Sequence, residues 1–317
     1  MSDNLAVLPG SGGRVRLVEM PRPAPLSDRD VLVRMLYAPI NPADLLAIDG
    51  RYAFDLGSAV PLGAEGVGRV EEVGAAVSDL RPGDRVLPLT RGNWASYRVL
   101  DREQLIAVPA GIPDEQAAML RINPPTARLL LDNAGAGDGA AIVQNAAGST
   151  VAAWVRALAA RRAIHVVDVV RNADAALPHA VVDGPALAAS VSDAAAGRAV
   201  RAALDCVAGE ATGRLAECVS AGGRIVVFGH LSGQPVAVRS QLLTGGGLSI
   251  SGFSLRPAET ALGADGVNRM FAELFDLFLE APPSLATRAL MPLREADRAV
   301  VAAREGGKGR ILLDLTA

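Results

Sequence analysis

The sequence predicts an α/β protein in which a parallel sheet covered by helices is inserted into a mostly β domain. Three observations lead to this prediction. Gly and Pro separate short β-type runs over roughly the first hundred residues, and from Pro113 onward apolar helical stretches alternate with short β-branched runs. The segment after Gly252 is too small to form a core of its own. We therefore expect it to return and complete the first domain.

Each predicted strand is a short run rich in β-branched and apolar residues, bounded by turn residues. In the first domain these runs are 14–20, 31–36, 67–73, 85–89, 95–100 and 105–108. In the second domain they are 140–144, 164–170, 180–182, 202–206, 224–228 and 248–251, with helices between several of them. An amphipathic helix at 267–279 and a strand at 310–315 follow. The predicted domains are 1–112, 113–253 and 254–317, the last completing the first.

The bulk composition narrows the classes of protein. The chain has 317 residues, half of them apolar, which suits about two globular domains. A net charge of -3 gives no basic stripe for a nucleic acid or an anionic membrane. Cys206 and Cys218 are too few for a disulfide framework and lack metal-site spacing. With no apolar run long enough to span a membrane, we expect a soluble, cytoplasmic protein.

A candidate dinucleotide-binding loop lies at 142–153, where a predicted strand runs into a predicted helix. Backbone N–H groups and the helix dipole would meet a pyrophosphate there. The three glycine positions of the usual fingerprint fall on Ala147, Ser149 and Ala152, and the one glycine, Gly148, lies between the first two. The small residues still permit close backbone approach. An ordinary turn between strand and helix is the alternative.

The end of the next predicted strand indicates which cofactor is bound. An acidic residue there holds the ribose hydroxyls of NAD, whereas a basic residue binds the 2′-phosphate of NADP. This strand ends in Arg171, and its guanidinium suits a phosphate. Asp168 lies inside the strand and is a less natural ribose ligand. The eight residues 172–179 before the next run are too few for the usual crossover helix.

Several motifs in order carry a resemblance to a known family. They are Ile40-Asn-Pro-Ala-Asp44, Gly50-Arg-Tyr52, Gly63-Ala-Glu-Gly-Val-Gly68, Pro82-Gly-Asp-Arg-Val86, Gly92-Asn-Trp-Ala-Ser-Tyr97, Asn123-Pro-Pro-Thr-Ala127, Gln144-Asn-Ala146, Val169-Val-Arg171, Ala203-Leu-Asp-Cys206 and Gly252-Phe253. With these motifs the chain resembles the zinc-free medium-chain dehydrogenase/reductase superfamily, most of all its 2-enoyl thioester reductases and next its quinone oxidoreductases. The resemblance covers essentially the whole chain. It implies a Rossmann-type domain inserted in a GroES-like catalytic domain.

Zinc-dependent alcohol dehydrogenases share this architecture but bind a catalytic zinc through Cys and His. Here Ala64, not a histidine, precedes Glu65, and no cysteine occurs before Cys206. Neither a catalytic nor a structural zinc site can be assembled from such a sequence. We therefore expect no metal, and a metal-free reductase must stabilise developing negative charge by hydrogen bonding or proton donation.

The resemblance implies a catalytic tyrosine and an NADPH site. Tyr52 matches the tyrosine that the enoyl thioester reductases use beside the nicotinamide, where it would stabilise or protonate the enolate left by hydride transfer to the β-carbon. Without the family, Tyr52 is one of three tyrosines, in a loop. The implied cofactor residues are Asn123, Thr126, Gly148, Ser149, Thr150, Val151, Arg171, Phe228, Gly229, His230, Leu231, Phe253, Ser254 and Leu255.

Simpler roles remain open for some of these residues. Asn123 before a proline would also cap a turn, Phe228 and Phe253 would also suit a core, and His230 would suit a surface. Ser254 stands where the thioester reductases usually carry tryptophan, which implies a wider or more polar substrate pocket.

Three functional hypotheses follow. The first is an NADPH-dependent reductase of an enoyl thioester or related activated alkene. The second is a quinone or enone reductase on the same fold, and the third is a non-catalytic binding module. A homodimer that pairs the edge strands at 248–251 is expected from the superfamily.

Overall fold

The structure is a computed structural model that describes residues 4–25, 27–51, 60–173 and 176–317. The chain divides into two compact units. The first comprises Met1–Ile122 and Phe271–Ala317, and the second comprises Asn123–Met270. The predicted boundaries after residues 112 and 253 both lie earlier in the chain than the observed ones.

Packing explains both differences in the boundaries. Arg85 donates hydrogen bonds to the Pro109 carbonyl at 2.6 Å and to Asp114 at 2.8 Å, which ties the segment after residue 112 to the first unit. The backbone N–H of Ile122 also donates to Glu65, at 2.9 Å. At the second boundary, the chain is helical on both sides of a kink at Gly263, and the part after the kink continues through residue 270. The boundary between the two units therefore falls inside a helix, between Met270 and Phe271, where no turn residue indicates it.

The first segment of the first unit is mostly strands. In chain order its elements are β1 (Asn4–Pro9), β2 (Val15–Met20), β3 (Asp30–Pro39), α1 (Pro42–Ile48), β4 (Val67–Val73), β5 (Arg85–Pro88), β6 (Tyr97–Asp101), β7 (Leu105–Ala107) and α2 (Asp114–Ala117). The second unit comprises α3 (Asn123–Ala134), β8 (Ala141–Gln144), α4 (Thr150–Arg161), β9 (His165–Val170), β10 (Val181–Val182), α5 (Leu187–Ala194), β11 (Val200–Asp205), α6 (Glu210–Cys218), β12 (Arg224–Val227), α7 (Ser240–Thr244) and β13 (Ser249–Gly252). Helix α8 (Leu255–Glu280) then crosses into the returning segment, which adds β14 (Thr287–Pro292), α9 (Ala296–Arg304) and β15 (Arg310–Asp314).

The first unit is built on a seven-stranded sheet and a separate hairpin. The sheet order is β14-β15-β3-β4-β5-β7, with β6 also paired to β3, and β1 and β2 form the hairpin. All pairs are antiparallel except β14 with β15. Its core contains Met35, Leu62 and Trp94 from the first segment together with Leu313 from the returning one. The returning residues thus complete both the sheet and the core.

The second unit is built on a six-stranded, fully parallel sheet. Its order is β10-β9-β8-β11-β12-β13. Alternate residues such as Val143 and Val167 pack with Leu187 and Leu215 from α5 and α6 in one buried cluster. If the six strands of this sheet are numbered 1 to 6 along the chain, their order in the sheet is 3-2-1-4-5-6. This is the doubly wound order of dinucleotide-binding domains. The strand order reverses between β8 and β11, and ligands bind such folds at the carboxyl ends of the strands beside that point.

The predicted fold class is confirmed. Every predicted strand corresponds to an observed one, and the described part of 172–179 contains no helix. Elements β1, α1, β14 and α9 were not predicted from the sequence. The predicted helix at 267–279 is the second part of α8, which begins earlier and has a non-helical residue at Gly263. Within the described ranges, no helix combines the length and apolarity that a membrane span requires.

Candidate active site

Most of the predicted cofactor residues lie at one edge of the parallel sheet. Gly148 to Val151 follow β8, Arg171 follows β9, Phe228 to Leu231 follow β12, and Phe253 to Leu255 follow β13. All these strands run in the same direction, and β9, β8, β11, β12 and β13 are consecutive neighbours. Residues that follow the strands therefore line up along their carboxyl edge, which is where this fold binds nucleotides.

Asn123 and Thr126 lie at the start of α3. The direction of this helix places its N-terminal end toward the carboxyl edge of the parallel sheet. Arg224, the first residue of β12, donates a hydrogen bond of 3.0 Å to the carbonyl of Asn133 near the end of α3. The C-terminal end of α3 is therefore beside the amino ends of the strands, and its N-terminal end points the opposite way. Both Asn123 and Thr126 are buried.

The loop after β8 is a compact turn that ends in a helix cap. Ser149 is the N-cap of α4, and its hydroxyl oxygen accepts a hydrogen bond of 3.2 Å from the backbone N–H of Ala152. Thr150 and Val151 form the first turn of a helix twelve residues long. Gly148 is exposed, and the position that a Cβ would take there is open space. A phosphate could therefore approach the backbone of this turn closely.

The unusual glycine pattern has a structural counterpart. Ala146 has a φ of 50°, so the left-handed conformation usually supplied by glycine is here adopted by an alanine. Ala147, at the first fingerprint position, is fully buried and its N–H donates to the Val169 carbonyl at 3.3 Å. The loop is thus formed without the three fingerprint glycines.

Asp168 and Arg171 differ sharply in their surroundings. The Asp168 carboxylate accepts hydrogen bonds from Gln144 at 2.7 Å and from Arg156 at 3.1 Å, and its side chain is 12% exposed. Its carboxylate is therefore already paired within the second unit. Arg171 is exposed, and among the described residues it has no ion-pair or hydrogen-bond partner. Its guanidinium is free to bind an anion.

A buried polar cluster occupies the point where the strand order reverses, and the sequence analysis did not predict it. Asp205, the last residue of β11, is fully buried, and its carboxylate accepts four hydrogen bonds. They come from the Asn145 amide at 2.6 Å, the N–H groups of Val207 and Ala208 at 2.9 and 3.0 Å, and the Thr212 hydroxyl at 2.5 Å. We call Asn145, Asp205 and Thr212 the switch-point cluster. It connects the loop after β8 with the loop after β11.

The loop after β12 is connected to the same cluster through the backbone. The N–H of Phe228 donates to the Asp205 carbonyl at 2.9 Å, and the N–H of Leu231 donates to the Cys206 carbonyl at 3.1 Å. A Cβ on Gly229 would come within 2.8 Å of that same carbonyl, so no larger residue fits there. His230 is exposed and Leu231 is 64% exposed, which leaves both side chains available to a ligand.

The two cysteines are poorly suited to nucleophilic chemistry. Burial raises the pKa of Cys206 to about 11 and that of Cys218 to about 12, and neighbouring carboxylates act in the same direction. Because the thiolate is the reactive form, both groups are inert near neutral pH. Both are free thiols.

The first unit contains a second buried polar cluster. Glu65 accepts hydrogen bonds of 2.9 Å from the Asn41 amide and from the N–H of Ile122. Asp44 accepts from the Asn41 N–H and from Arg91, both at 3.0 Å, and thereby caps α1. Glu65 and Asp44 are fully buried. Their side chains fix the start of α1 and the chain just before Asn123. Tyr52, the predicted catalytic residue, lies outside the described residues.

Burial dominates the ionisation of these two carboxyl groups. It raises the pKa of Glu65 to about 7 and that of Asp44 to about 6, and the hydrogen bonds and the arginines Arg91 and Arg310 offset only part of this effect. Burial also lowers the pKa of Arg310.

Replacing Glu65 by glutamine is expected to flatten the pH dependence of stability. A carboxyl group with a pKa near 7 in the folded state and about 4.3 in the unfolded state binds more protons when folded between those values. Its contribution to stability is complete below about pH 4 and is lost as the pH rises through 7. Urea denaturation measures the free energy of unfolding at pH 5 and at pH 8. The decrease from pH 5 to pH 8 should be larger for the parent protein than for Glu65→Gln. The exposed Glu72→Gln variant is the control, and equal losses in all three proteins would contradict the assignment.

Among the residues that the structure describes, no group of three or more His, Cys, Asp or Glu side chains could hold a metal ion. The geometry of the second unit defines a class of protein instead. Its doubly wound sheet, its capped helix N-terminus and its free arginine at one edge are features of a dinucleotide-binding α/β protein.

Comparisons with known proteins identify the family. Residues 27–110 match the alcohol dehydrogenase GroES-like domain. The mitochondrial enoyl-[acyl-carrier-protein] reductase of Dictyostelium discoideum is 33% identical over 310 residues, which cover 92% of this chain and 87% of that protein. A protein assigned as an NADPH:quinone reductase from Bacillus thuringiensis is 27% identical, with a TM-score of 0.87 over 98% of both chains. The Etr1p complex with NADP and crotonyl-CoA is 19% identical, with a TM-score of 0.83 over 98% of this chain and 99% of that one, and indicates the fold alone.

The chain belongs to the zinc-free medium-chain dehydrogenase/reductase family, together with the enoyl-[acyl-carrier-protein] reductases. It is an oxidoreductase, and the predicted resemblance is confirmed. The roles of its individual site residues stay predictions.

Proposed function

We propose that this protein is an NADPH-dependent reductase of activated carbon–carbon double bonds, with 2-enoyl thioesters as its substrate class. The observation that carries the proposal is the arrangement of the parallel sheet's carboxyl edge, in a chain 33% identical to an enoyl-[acyl-carrier-protein] reductase over nearly its full length. Arg171 is exposed at that edge next to an open helix N-terminus.

The residues at this edge fit the chemistry of NADPH. The first turn of α4 offers N–H groups to the pyrophosphate, and Gly148 allows close contact with its backbone. Arg171 would bind the 2′-phosphate. Asn123 and Thr126, together with the segments 228–231 and 253–255, would line the nicotinamide. NADPH, when bound, would supply the hydride for the β-carbon of the substrate.

Tyr52 would stabilise or neutralise the negative charge that hydride addition creates on the substrate. Its phenolic hydroxyl can donate a hydrogen bond. It would donate to the thioester oxygen as an enolate develops, or pass its proton to the α-carbon. The switch-point cluster would hold the loops around the cofactor in place while this happens.

A nucleotide titration followed by a turnover assay tests the proposal. The protein should bind NADPH more tightly than NADH, and it should oxidise NADPH when crotonyl thioester is added. The saturated butyryl thioester is the matched control, because it has the same headgroup but no double bond. Binding of neither nucleotide would contradict any reductase function and would favour the third hypothesis, a non-catalytic binding module.

A quinone or enone reductase is the second candidate function. The 27% identity and the 0.87 TM-score to the protein assigned as an NADPH:quinone reductase favour it, as does the small, exposed Ser254. A simple quinone in the same NADPH oxidation assay separates the two candidates. A kcat/KM for the quinone well above that for crotonyl thioester would favour the second.

Arg171→Ala is expected to weaken NADPH binding by about tenfold or more and to change NADH binding by less than about twofold. The reason is that only NADPH carries the 2′-phosphate, and a charge-assisted hydrogen bond contributes about 1.5 to 3 kcal/mol. Fluorescence titration of both nucleotides measures the two effects. Equal losses for NADPH and NADH would remove Arg171 from the 2′-phosphate site.

A homodimer through β13 remains part of the proposal. This strand is the edge of the parallel sheet and is mostly exposed, and the exposed apolar side chains Val236, Leu243 and Leu262 belong to the same unit. An unpaired edge strand offers its backbone groups to a second copy. A monomer in sedimentation velocity at micromolar concentration would contradict this. The cytoplasmic location likewise stays a prediction, in keeping with two free thiols.

A further inference from the structure

The carboxyl ends of β9 and β10 bring two opposite charges side by side. These strands pair in parallel, with Val170 opposite Val182, and the N–H of Asp183 donates to the Val170 carbonyl at 2.8 Å. Arg171 and Asp183 are therefore the next residues on neighbouring strands, and neighbouring strands lie about 4.8 Å apart. An ion pair between them would be expected from this placement. The structure has a different pair.

Asp183 is held by another arginine. Arg214 of α6 donates two hydrogen bonds to its carboxylate, from Nε to Oδ1 at 2.7 Å and from Nη2 to Oδ2 at 2.6 Å. The two side chains are 32% and 22% exposed, and this pairing raises the pKa of Arg214. Glu210 also faces Arg214, at 3.9 Å, but it is 92% exposed. The fork pairs each carboxylate oxygen of Asp183 with Arg214, and Arg171 has no ion-pair partner among the described residues, which leaves its charge available to an anion.

We propose that Arg214 determines the preference for NADPH over NADH by holding the carboxylate of Asp183 away from the 2′-phosphate site. This inference rests on the proposed function. The acidic residue that usually binds the ribose hydroxyls of NAD follows the second strand of this sheet, which is the position of Arg171, whereas Asp183 follows the third strand. A free carboxylate at Asp183 would repel the phosphate and attract Arg171, and its pairing with Arg214 prevents both effects. Without Arg214, the carboxylate would pair with Arg171 and lower the positive charge available to the phosphate.

The test is a set of variants titrated with NADPH and NADH by fluorescence. Arg214→Gln should raise the ratio of Kd for NADPH to Kd for NADH by about fivefold, and the effect should shrink at high salt because screening weakens exposed charges. The double variant Asp183→Asn with Arg214→Gln should restore the ratio to within about twofold of the parent. Arg239→Gln is the matched control, because it removes the same charge from an exposed pair with Glu217 of the same helix.

Asp183→Asn alone covers the case in which Arg214→Gln does not fold. It should keep the preference for NADPH or strengthen it, and a loss of that preference would overturn the proposal. So would equal effects of Arg214→Gln on the two nucleotides, or a double variant that stays as impaired as the single one. An unmodified protein that binds neither nucleotide would overturn the proposed function and this inference together. Binding with an unchanged ratio in Arg214→Gln would overturn the inference alone.

Discussion

Replacing Tyr52 by phenylalanine is expected to lower kcat for crotonyl thioester reduction by about 10² to 10³. The change removes one hydroxyl, and with it the donor that would meet the negative charge of the developing enolate. That charge exists in the transition state and not in the bound substrate, so KM for the thioester should change little. The Kd for NADPH should stay within about twofold of the parent value.

Tyr97→Phe is the control for this variant. Tyr97 is one of the three tyrosines, and its ring lies beneath the guanidinium of Arg22, at 4.3 Å from the ring centroid. Its loss of a hydroxyl should leave kcat unchanged. Full activity of Tyr52→Phe would remove Tyr52 from the mechanism. A loss of NADPH binding in step with kcat would instead assign Tyr52 to the cofactor site.

The strands of both units could be predicted because their burial follows local residue patterns. Val67–Val73 contains three valines and is followed by Gly74, and His165–Val170 contains four valines. The strands β1 and β14, which were not predicted, lack such local signals. β1 is buried along almost its whole length, so its burial pattern does not alternate as that of a half-exposed strand does. β14 ends in proline and is fixed by pairing with β15, a contact between distant parts of the chain.

Helix α1 carried a signal that the sequence analysis did not use. Asn41 is its N-cap and Pro42 is its first residue, and this pair is a typical helix start. The helix is only seven residues long, and an apolar face is recognised from its periodicity only over a longer stretch of sequence. Its start is fixed by the pair of the buried Asp44 and the partly exposed Arg91, which are 47 residues apart in the sequence.

The candidate site was predictable where function follows from position at a strand end. Arg171 and Gly148 were identified in this way, and both are exposed at the expected edge. Asn145 and Asp205 were quoted only as parts of family motifs, because their role depends on β8 and β11 being neighbours although 60 residues separate them. The partner of Asp183 was unpredictable for the same reason, since Arg214 is 31 residues away.

The switch-point cluster also explains how a loop with so few glycines keeps its shape. Ala146 and Ala208 both adopt left-handed backbone conformations, with φ values of 50° and 62°, at the two loops that the cluster joins. Such conformations cost an alanine of order 1 kcal/mol or more, and they persist where surrounding contacts enforce them. Asn145 and Asp205 supply those contacts, because they bind the backbone N–H groups of Cys206, Val207 and Ala208.

Asp205→Ala is therefore expected to destabilise the protein by about 3 to 5 kcal/mol and to weaken NADPH binding by at least about tenfold. The substitution leaves four donors without their acceptor, three of them on buried residues, and unmade buried hydrogen bonds carry the full cost of desolvation. The loops after β8 and β11 lose the side chain that joins them at the same time. Urea denaturation and NADPH titration measure the two effects.

Asp205→Asn separates the anchoring role from the negative charge. An asparagine can keep its oxygen where Oδ1 accepts from Asn145, Val207 and Ala208, and its amide can donate to the Thr212 hydroxyl, which rotates to accept. The loss in stability should then be only about 1 to 2 kcal/mol, because each donor keeps a partner. NADPH affinity should stay within about threefold of the parent. If Asp205→Asn were as damaging as Asp205→Ala, the carboxylate charge rather than its hydrogen bonds would hold these loops, and the cluster would not be the anchor described above.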